Sequence, residues 1–281
     1  MPQSMLNVLA AGTVFTVMFS LGLGLEAGEL RLIWRRPSLM ARGLFSVLVA
    51  VPTVALLVTR WLDLPRFVEI GVVLMAISPG APVALRRSLG AGGHRAFAPS
   101  LQICVALLAV VSMPLSIAAL NEFYAGRATL TPWSVAKQVF VAQLLPLAVG
   151  MSVRRFWRAP AKRLEPRLAQ AGNVLLLALV VVVLVDVWEV TMNAGFRVWP
   201  AIATTTVGAL ALGHWLGGPE PATRTAVAIT SALRNPGLAL LVAALNAAPP
   251  AVTGTVLAYV LVSALLVIPY MMWRRRAAAV S

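Results

Sequence analysis

Charged residues are scarce in this sequence: only 11% of its 281 residues are Asp, Glu, Lys or Arg, whereas 60% are hydrophobic. A soluble domain carries roughly 25% charged residues, so a water-soluble fold is excluded for most of the chain. The mean hydropathy is +0.88. Most of the chain is therefore expected to lie in a lipid bilayer.

Acidic residues, cysteine and histidine are also few. Nine Asp and Glu stand against 23 Lys and Arg, but the basic residues lie in short segments between apolar runs, which is not the clustered surface that binds nucleic acid. The single cysteine, Cys104, excludes a disulfide framework and a Cys-based zinc site. Since Ser/His/Asp sets, paired intramembrane carboxylates and phosphate loops are also missing, we expect neither a metal site nor an enzyme.

Long apolar runs divide the chain into nine predicted membrane spans. An apolar helix of about 20 residues, rising 1.5 Å per residue, crosses the hydrocarbon core of a bilayer. The alternation typical of a transmembrane strand is absent, so the predicted fold is all-α. The spans are approximately Leu6 to Leu25, Leu39 to Thr59, Phe67 to Leu89, Phe97 to Leu120, Trp133 to Val153, Gly172 to Val190, Val198 to Leu216, Ala222 to Leu245 and Ala251 to Trp273.

The basic residues predict an orientation in the inner membrane. Cytoplasmic loops carry an excess of Lys and Arg, and 17 of the 23 basic residues follow the odd-numbered spans. Arg31 is among these 17, whereas Arg127 and Lys137 belong to the opposite side. The N-terminus is therefore predicted outside and the C-terminus in the cytoplasm. The Arg-rich run Arg274 to Arg276 after the last span is interpreted as a stop signal.

Two spans are interrupted by proline and glycine. The third contains Ser78-Pro79-Gly80-Ala81-Pro82, and the eighth contains Arg234-Asn235-Pro236-Gly237. Proline removes an amide donor and glycine permits unwound backbone. Because unwound backbone is tolerated at membrane depth only beside protein or a water-filled cavity, paired breaks of this kind predict a transporter's binding site.

Spacing indicates that the two breaks belong to an inverted repeat. Pro79 precedes Pro114 by 35 residues, and Pro236 precedes Pro269 by 33. The third span enters from outside and the eighth from inside, so the two copies run in opposite directions. We expect one transmembrane transporter domain over 1–281. Its parts are 1–152, with the first repeat and the start of the second, a cytoplasmic connector at 153–171, and 172–281.

Several motifs resemble a known family over nearly the whole chain. They are Phe19-Ser20-Leu21-Gly22-Leu23-Gly24-Leu25, Trp34-Arg35-Arg36-Pro37, Gly71-Val72-Val73-Leu74 leading to Ser78-Pro79-Gly80, and Asn235-Pro236-Gly237-Leu238-Ala239. They are similar to motifs of the bile acid:sodium symporter family. Bacterial members of that family have ten helices, and the resemblance implies that this chain lacks the first of them. The resemblance implies a panel domain and a core domain, with core helices at about 67–120 and 222–273. It also implies transport of organic anions, from bile acids to smaller carboxylates, usually by sodium symport.

The chain departs from this family where the resemblance would place sodium ligands. Sodium requires several hard oxygen ligands, and nearly all the side-chain ones are absent. We therefore do not expect coupling through the family's two sites, although a Na⁺ site built from backbone carbonyls stays open. The departing positions are Val47, Ala84, Leu85, Ala98, Gln102, Thr230 and Arg234.

Arg234 is the centre of the predicted substrate site. A charged arginine at mid-membrane costs about 2.5 to 3.5 kcal/mol on insertion scales and requires a partner. We assign no acid to a core span, with Asp186 and Glu189 the nearest in-span acids. The guanidinium either binds the substrate anion, replacing the charge of sodium, or has a purely structural partner.

Further residues around the two breaks complete the predicted site. Arg86, like Arg87, faces either an inner vestibule or the membrane surface. Asn235 matches a motif of the family, while Gln102 is placed by helical geometry alone. The predicted substrate-binding residues are Arg234, Asn235, Pro236, Ser78, Pro79, Gly80, Pro82, Arg86, Gln102 and Thr230.

The function predicted from these features is a carrier for a small or amphipathic organic anion. Its partners are that anion and the lipid bilayer, and its mechanism is alternating access of panel against core. The alternative is a membrane sensor that binds a ligand on the same fold without net transport. The sequence indicates neither the substrate, the direction of transport nor an oligomeric state.

Overall fold

The structure, a computed structural model, describes residues 3–25, 35–123, 131–192 and 195–280. Every regular element within these ranges is a helix, so the prediction of an all-α protein is confirmed. Arg31, Trp34 and Arg127, which entered the predicted topology or the family resemblance, lie outside the described residues.

Thirteen α-helices and two short π-helical turns make up the described chain. They are α1 (Gln3–Gly24), α2 (Pro37–Phe45), π1 (Ser46–Ala50), α3 (Val51–Trp61), α4 (Arg66–Ala76), α5 (Pro82–Gly90), α6 (Phe97–Phe123), α7 (Pro132–Val139), π2 (Phe140–Leu144), α8 (Leu145–Phe156), α9 (Arg158–Met192), α10 (Val198–Leu216), α11 (Pro221–Ala232), α12 (Pro236–Leu245) and α13 (Pro250–Val280).

Within the described residues, seven helical segments are long and apolar enough to cross a membrane. Each coincides with one of the nine predicted spans. The remaining two predicted spans are the third, which is divided into α4 and α5, and the seventh, which is the 19-residue helix α10. The count of nine therefore stays a prediction.

The two predicted breaks are present as irregular backbone between helices. The first covers residues 77–81, where Gly80 has a φ of +86°, a conformation that only glycine adopts without strain. Pro82 then begins α5. Proline is tolerated in the first turn of a helix because a backbone N–H there would have no partner within the helix. The second covers residues 233–235, and Pro236 begins α12 in the same way. Proline thus both ends one half-helix and starts the next.

Both π-helical turns precede a proline inside a predicted span. The turn Ser46–Ala50 lies just before Pro52, and Phe140–Leu144 lies just before Pro146. Proline cannot donate to the preceding turn and its ring crowds the carbonyl there. A widened turn accommodates the ring without ending the helix, and such turns are frequent at functional sites.

The helices form two compact units. The first consists of Met1–Ala27, Ala106–Asp186 and Gly237–Ala248. Within it α1 packs closely on α8, since a Cβ on Gly22 would lie 3.0 Å from Cα of Gly150. Small residues allow this close approach, which is the usual packing mode of helices in lipid.

The second unit consists of Gly28–Val105, Val187–Pro236 and Pro249–Ser281. Glycine again brings helices together: a Cβ on Gly71 of α4 would lie 2.8 Å from the Val252 carbonyl of α13, and one on Gly213 of α10 would lie 2.9 Å from the Ala228 nitrogen of α11. Both breaks lie in this unit, next to helices that these contacts hold together.

The basic end of α13 binds one half-helix of each broken span. Arg274 is buried and donates from Nε to Thr225 Oγ1 at 2.8 Å and from Nη2 to the Pro221 carbonyl at 3.0 Å, at the start of α11. Arg275 donates from Nε to the Gly90 carbonyl at 2.6 Å, at the end of α5. These arginines, interpreted from the sequence as a stop signal, thus also make specific contacts.

The segment 153–171, predicted as a connector, is helical on both sides of Trp157. Its first residues end α8, and residues from Arg158 onward begin the 35-residue helix α9, which continues through the predicted sixth span. Pro166 lies inside α9. The basic run is therefore continuous with a spanning helix.

Candidate functional site

The two breaks are hydrogen-bonded to each other. The backbone N–H of Asn235 donates to the Ser78 carbonyl at 2.9 Å. Ser78 also donates from its hydroxyl to the Leu74 carbonyl at 2.7 Å, one turn back in α4. These bonds satisfy backbone groups that the prolines would otherwise leave exposed in an apolar interior. Pro79 and Gly80 of the first break are buried as well.

Arg234 lies in the second break with its guanidinium enclosed by protein. Only 3% of the residue is exposed. One nitrogen, Nη1, donates to the Val47 carbonyl in π1 at 2.8 Å. The other two, Nε and Nη2, have no hydrogen-bond partner in the part of the chain that is described. A buried donor without an acceptor costs about 1 to 3 kcal/mol, and more when charged. The arrangement therefore favours an acceptor that comes from outside the protein.

Carbonyl groups supply part of the compensation for the Arg234 charge. The residue lies two positions after the end of α11, where the last carbonyls of the helix carry a partial negative charge that stabilises a cation. The Val47 carbonyl adds a second dipole. Carbonyl dipoles are weaker acceptors than a carboxylate, so the guanidinium keeps the capacity to bind an anion.

The expectation that no acid lies in a core span is wrong for Glu69. This residue lies in α4 and is 3% exposed. Its carboxylate contacts Arg60 Nε at 3.4 Å and the Thr59 hydroxyl at 3.4 Å. Within the described residues Glu69 thus pairs with α3, and no salt bridge of Arg234 is found there.

Two hydroxyl residues that the sequence analysis did not predict are linked to Arg234, Tyr259 by an electrostatic interaction and Thr206 through Tyr259. Tyr259 of α13 is completely buried and close enough to the guanidinium to interact with it electrostatically. Thr206 of α10, also buried, lies next to the Tyr259 hydroxyl. Neither hydroxyl makes a well-formed hydrogen bond to the described chain. The two hydroxyls and the two guanidinium nitrogens form a cluster of available donors, called here the Arg234 cluster.

A hydroxyl pair fixes α11 to π1 near this cluster. Ser231 and Ser46 are fully buried and share a hydrogen bond of 2.8 Å between their hydroxyl oxygens. Thr230, a predicted site residue, precedes Ser231 on α11 and is 2% exposed. Since Val47 follows Ser46 directly, this pair positions the carbonyl that accepts from Arg234.

The remaining predicted residues fall into two environments. Gln102 of α6 is fully buried, and neither its amide oxygen nor its nitrogen has a partner among the described residues. Arg86 of α5 is exposed, and Pro82 at the start of the same helix is half-buried. Gln102 therefore shares the unsatisfied, buried state of the Arg234 cluster, whereas Arg86 lies on the surface of its unit.

Four of the positions expected to lack sodium ligands, Val47, Ala84, Leu85 and Ala98, are apolar and buried. Ala84, Leu85 and Ala98 offer no side-chain oxygen and are at most 9% exposed. Val47 contributes only its carbonyl, which Arg234 occupies. The described residues also contain no group of three or more His, Cys, Asp or Glu suited to a metal ion.

Comparison with protein families gives a match over most of the chain. Residues 12–194 match the family described as the sodium bile acid symporter family. The chain is also similar to the sodium-dependent organic anion transporter of Rattus norvegicus, with 30% identity over 190 residues, which are 66% of this chain and 51% of the rat protein. The match thus spans about half of that relative.

Two further relatives are covered over greater lengths. The uncharacterised sodium-dependent transporter YocS of Bacillus subtilis is 23% identical over 240 residues, which are 83% of this chain and 73% of YocS. The ileal sodium/bile acid cotransporter of Cricetulus griseus is 23% identical over 261 residues, which are 88% of this chain and 74% of the cotransporter.

Proposed function

Because the chain belongs to the sodium bile acid symporter family, we propose that it is a secondary transporter that moves an organic anion across the inner membrane by alternating access. In this proposal all nine predicted spans cross the bilayer, with the N-terminus outside and the C-terminus in the cytoplasm. The relatives with known cargo are named for organic anions and bile acid. The proposal extends that class of substrate, in general terms, to this chain.

The observation that supports an anionic substrate is the state of Arg234. It is buried where the two breaks meet and keeps Nε and Nη2 free of partners within the described residues. A guanidinium presents its donors in a planar fork that matches a carboxylate or sulfonate. Its charge-assisted hydrogen bonds are roughly twice as strong as neutral ones. Tyr259, which interacts electrostatically with the guanidinium, would add a hydroxyl donor.

Arg234 also makes a coupling sodium ion unnecessary at this point. Two unit charges 4 Å apart interact with about 4 kcal/mol at an effective dielectric constant of 20, so a sodium ion beside the guanidinium would be repelled. The relatives are named sodium-dependent. In this chain the guanidinium of Arg234 supplies the positive charge that a sodium ion would otherwise bring. We therefore propose a sodium-independent carrier.

Charge neutralisation links binding to movement in this mechanism. An unpaired cation at mid-membrane is costly, and a bound anion removes part of that cost. The loaded carrier is then able to change conformation, with the panel rocking against the core helices at about 67–120 and 222–273. The empty carrier bears the full cost of exposing Arg234 to a new environment, so it changes conformation more slowly than the loaded carrier.

Uptake into proteoliposomes tests the proposal. Purified protein is reconstituted, and accumulation of radiolabelled organic anions is measured with sodium or with choline outside. We expect accumulation above protein-free liposomes in both buffers and none with Arg234→Ala. Saturable binding without accumulation of any bound anion would instead identify a membrane sensor and reject the transporter.

A further inference from the structure

The first unit contains an apolar pocket that is separate from the Arg234 cluster. It has a volume of about 350 Å³, within the range of small-molecule sites. Its wall is formed by the three α-helices α1, α7 and α12 together with the widened turn π2. The apolar residues of the wall are Ala11 and Phe15 of α1, Val141 and Ala142 of π2, and Leu241 and Leu245 of α12.

One charged side chain, Lys137 of α7, belongs to the lining of this pocket. It is exposed, and its Nζ lies 5.3 Å from the centre of the Trp133 ring. No carboxylate within the described chain pairs with it. A neighbouring Trp and Lys are typical of the membrane interface, where the charge reaches the lipid head groups.

The other polar residue of the lining is already satisfied. Gln138 accepts a hydrogen bond at its Oε1 from Asn246 Nδ2 at 3.0 Å and donates from Nε2 to the Ser134 hydroxyl at 3.3 Å. Both bonds join residues of the first unit. Among the described residues of its lining, the pocket therefore offers a ligand one cation without a carboxylate partner, one satisfied amide and otherwise apolar surface.

We propose that this pocket binds a single-chain alkyl carboxylate, a long-chain fatty acid taken from the bilayer, with its carboxylate on Lys137 and its chain along the apolar wall. One cation matches one acid group, and an unbranched chain matches a wall without further polar partners. Phe15, Val141 and Leu245 are 46%, 57% and 43% exposed, so the apolar wall continues onto the surface of the unit. The ligand reaches the pocket from there, and its binding does not depend on the proposed transport function.

Quenching of tryptophan fluorescence by α-bromopalmitate tests this site. The bromine next to the carboxylate would lie near Trp133, so binding to protein in phosphatidylcholine nanodiscs should give saturable quenching. We expect about tenfold weaker binding in Lys137→Gln, corresponding to the loss of about 1.4 kcal/mol. Ala11→Phe, which fills the pocket from an exposed position, should abolish it, and Trp133→Phe should remove most of the quenching.

The chain provides a matched control, because its only other lysine is Lys162 in α9. Lys162→Gln should bind α-bromopalmitate like the wild type, and the methyl ester of the probe should bind all variants equally weakly. Wild-type affinity in Lys137→Gln would overturn the proposal. Loss of quenching in nanodiscs that contain phosphatidylglycerol would also overturn it, since an anionic phospholipid would then be the occupant. Neither result affects the uptake measured in proteoliposomes, so the fatty-acid site and the transport function can be rejected independently.

Discussion

The backbone N–H of Asn235 and the carbonyl oxygen of Ser78, 157 positions apart in the chain, form a hydrogen bond of 2.9 Å. Each residue lies in the interruption of a different helix. The bond makes the two interruptions one feature of the second unit and places Arg234, the neighbour of Asn235, at their junction. Substitutions around this junction therefore test the proposed site one group at a time.

Arg234→Ala is expected to weaken the binding of an anionic substrate strongly while the protein stays folded. Charged hydrogen bonds contribute about 1.5 to 3 kcal/mol, which corresponds to roughly a 10- to 100-fold loss of affinity. Arg234→Lys keeps the charge but not the bidentate fork, so it should be partly active. Affinity and Tm are measured on the same purified variants, with exposed Arg276→Ala as the control.

A purely structural role of Arg234 would give a different result. If the guanidinium only stabilises the end of α11 and the Val47 carbonyl, the alanine variant should show a sharply lower Tm and wild-type affinity in its folded fraction. Such affinity would end the role of Arg234 as substrate anchor.

Sodium is not expected to be required for substrate binding. Ala84, Leu85 and Ala98 provide no side-chain oxygen, and Arg234 occupies the carbonyl of Val47. Affinity measured in sodium buffer and in choline buffer should agree. A loss of about tenfold or more in choline, equal to about 1.4 kcal/mol, would show that sodium contributes, through backbone carbonyls for example.

Tyr259→Phe is expected to separate binding from stability. The Tyr259 hydroxyl is buried without a well-formed hydrogen bond in the described chain, so its removal should leave Tm unchanged or higher, while anion affinity falls several-fold through the lost donor. Tyr270→Phe makes the same chemical change where the hydroxyl and His214 Nδ1 share a bond of 2.8 Å, and should lower Tm without changing affinity. Equal affinity in Tyr259→Phe and wild type would exclude this hydroxyl from the site.

Gly80→Ala is expected to destabilise the first break. Gly80 has a φ of +86°, and an L-residue there costs about 1 to 2 kcal/mol. Gly12→Ala is the matched control, because Gly12 lies inside α1 with open space where a Cβ would lie, and alanine favours a helix by about 1 kcal/mol over glycine. Opposite shifts of Tm in thermal unfolding are the expected outcome. A Gly80→Ala protein as stable as wild type would show that the break relaxes freely.

Much of the helical layout was accessible from the sequence because hydrocarbon requires long apolar runs. The fourth predicted span begins at Phe97, as α6 does, and the eighth ends at Leu245, as α12 does. The resemblance to the bile acid:sodium symporter family is confirmed by the match over residues 12–194. Proline and glycine marked both breaks, since few other residues interrupt a helix at membrane depth.

The side-chain partners were not accessible from the sequence, because they come from helices distant in the chain. Glu69 lies within an apolar run, and its pairing with Arg60 depends on how α3 and α4 pack. Tyr259 and Thr206 lie in different helices and share no spacing that indicates contact. One signal was present: the chain has three tyrosines, and one in the middle of the last span requires a partner for its hydroxyl.

The covalent attachment of the Arg234 cation has a consequence for energy supply. A sodium ion that accompanies an anion cancels its charge during transfer, but a guanidinium returns with the protein and cancels nothing over a full cycle. Each monoanion then moves one net charge through the membrane potential, worth about 2.3 kcal/mol per 100 mV. With a negative interior that voltage favours outward movement of the anion, so uptake by a carrier of this design requires a larger inward concentration gradient or an accompanying proton.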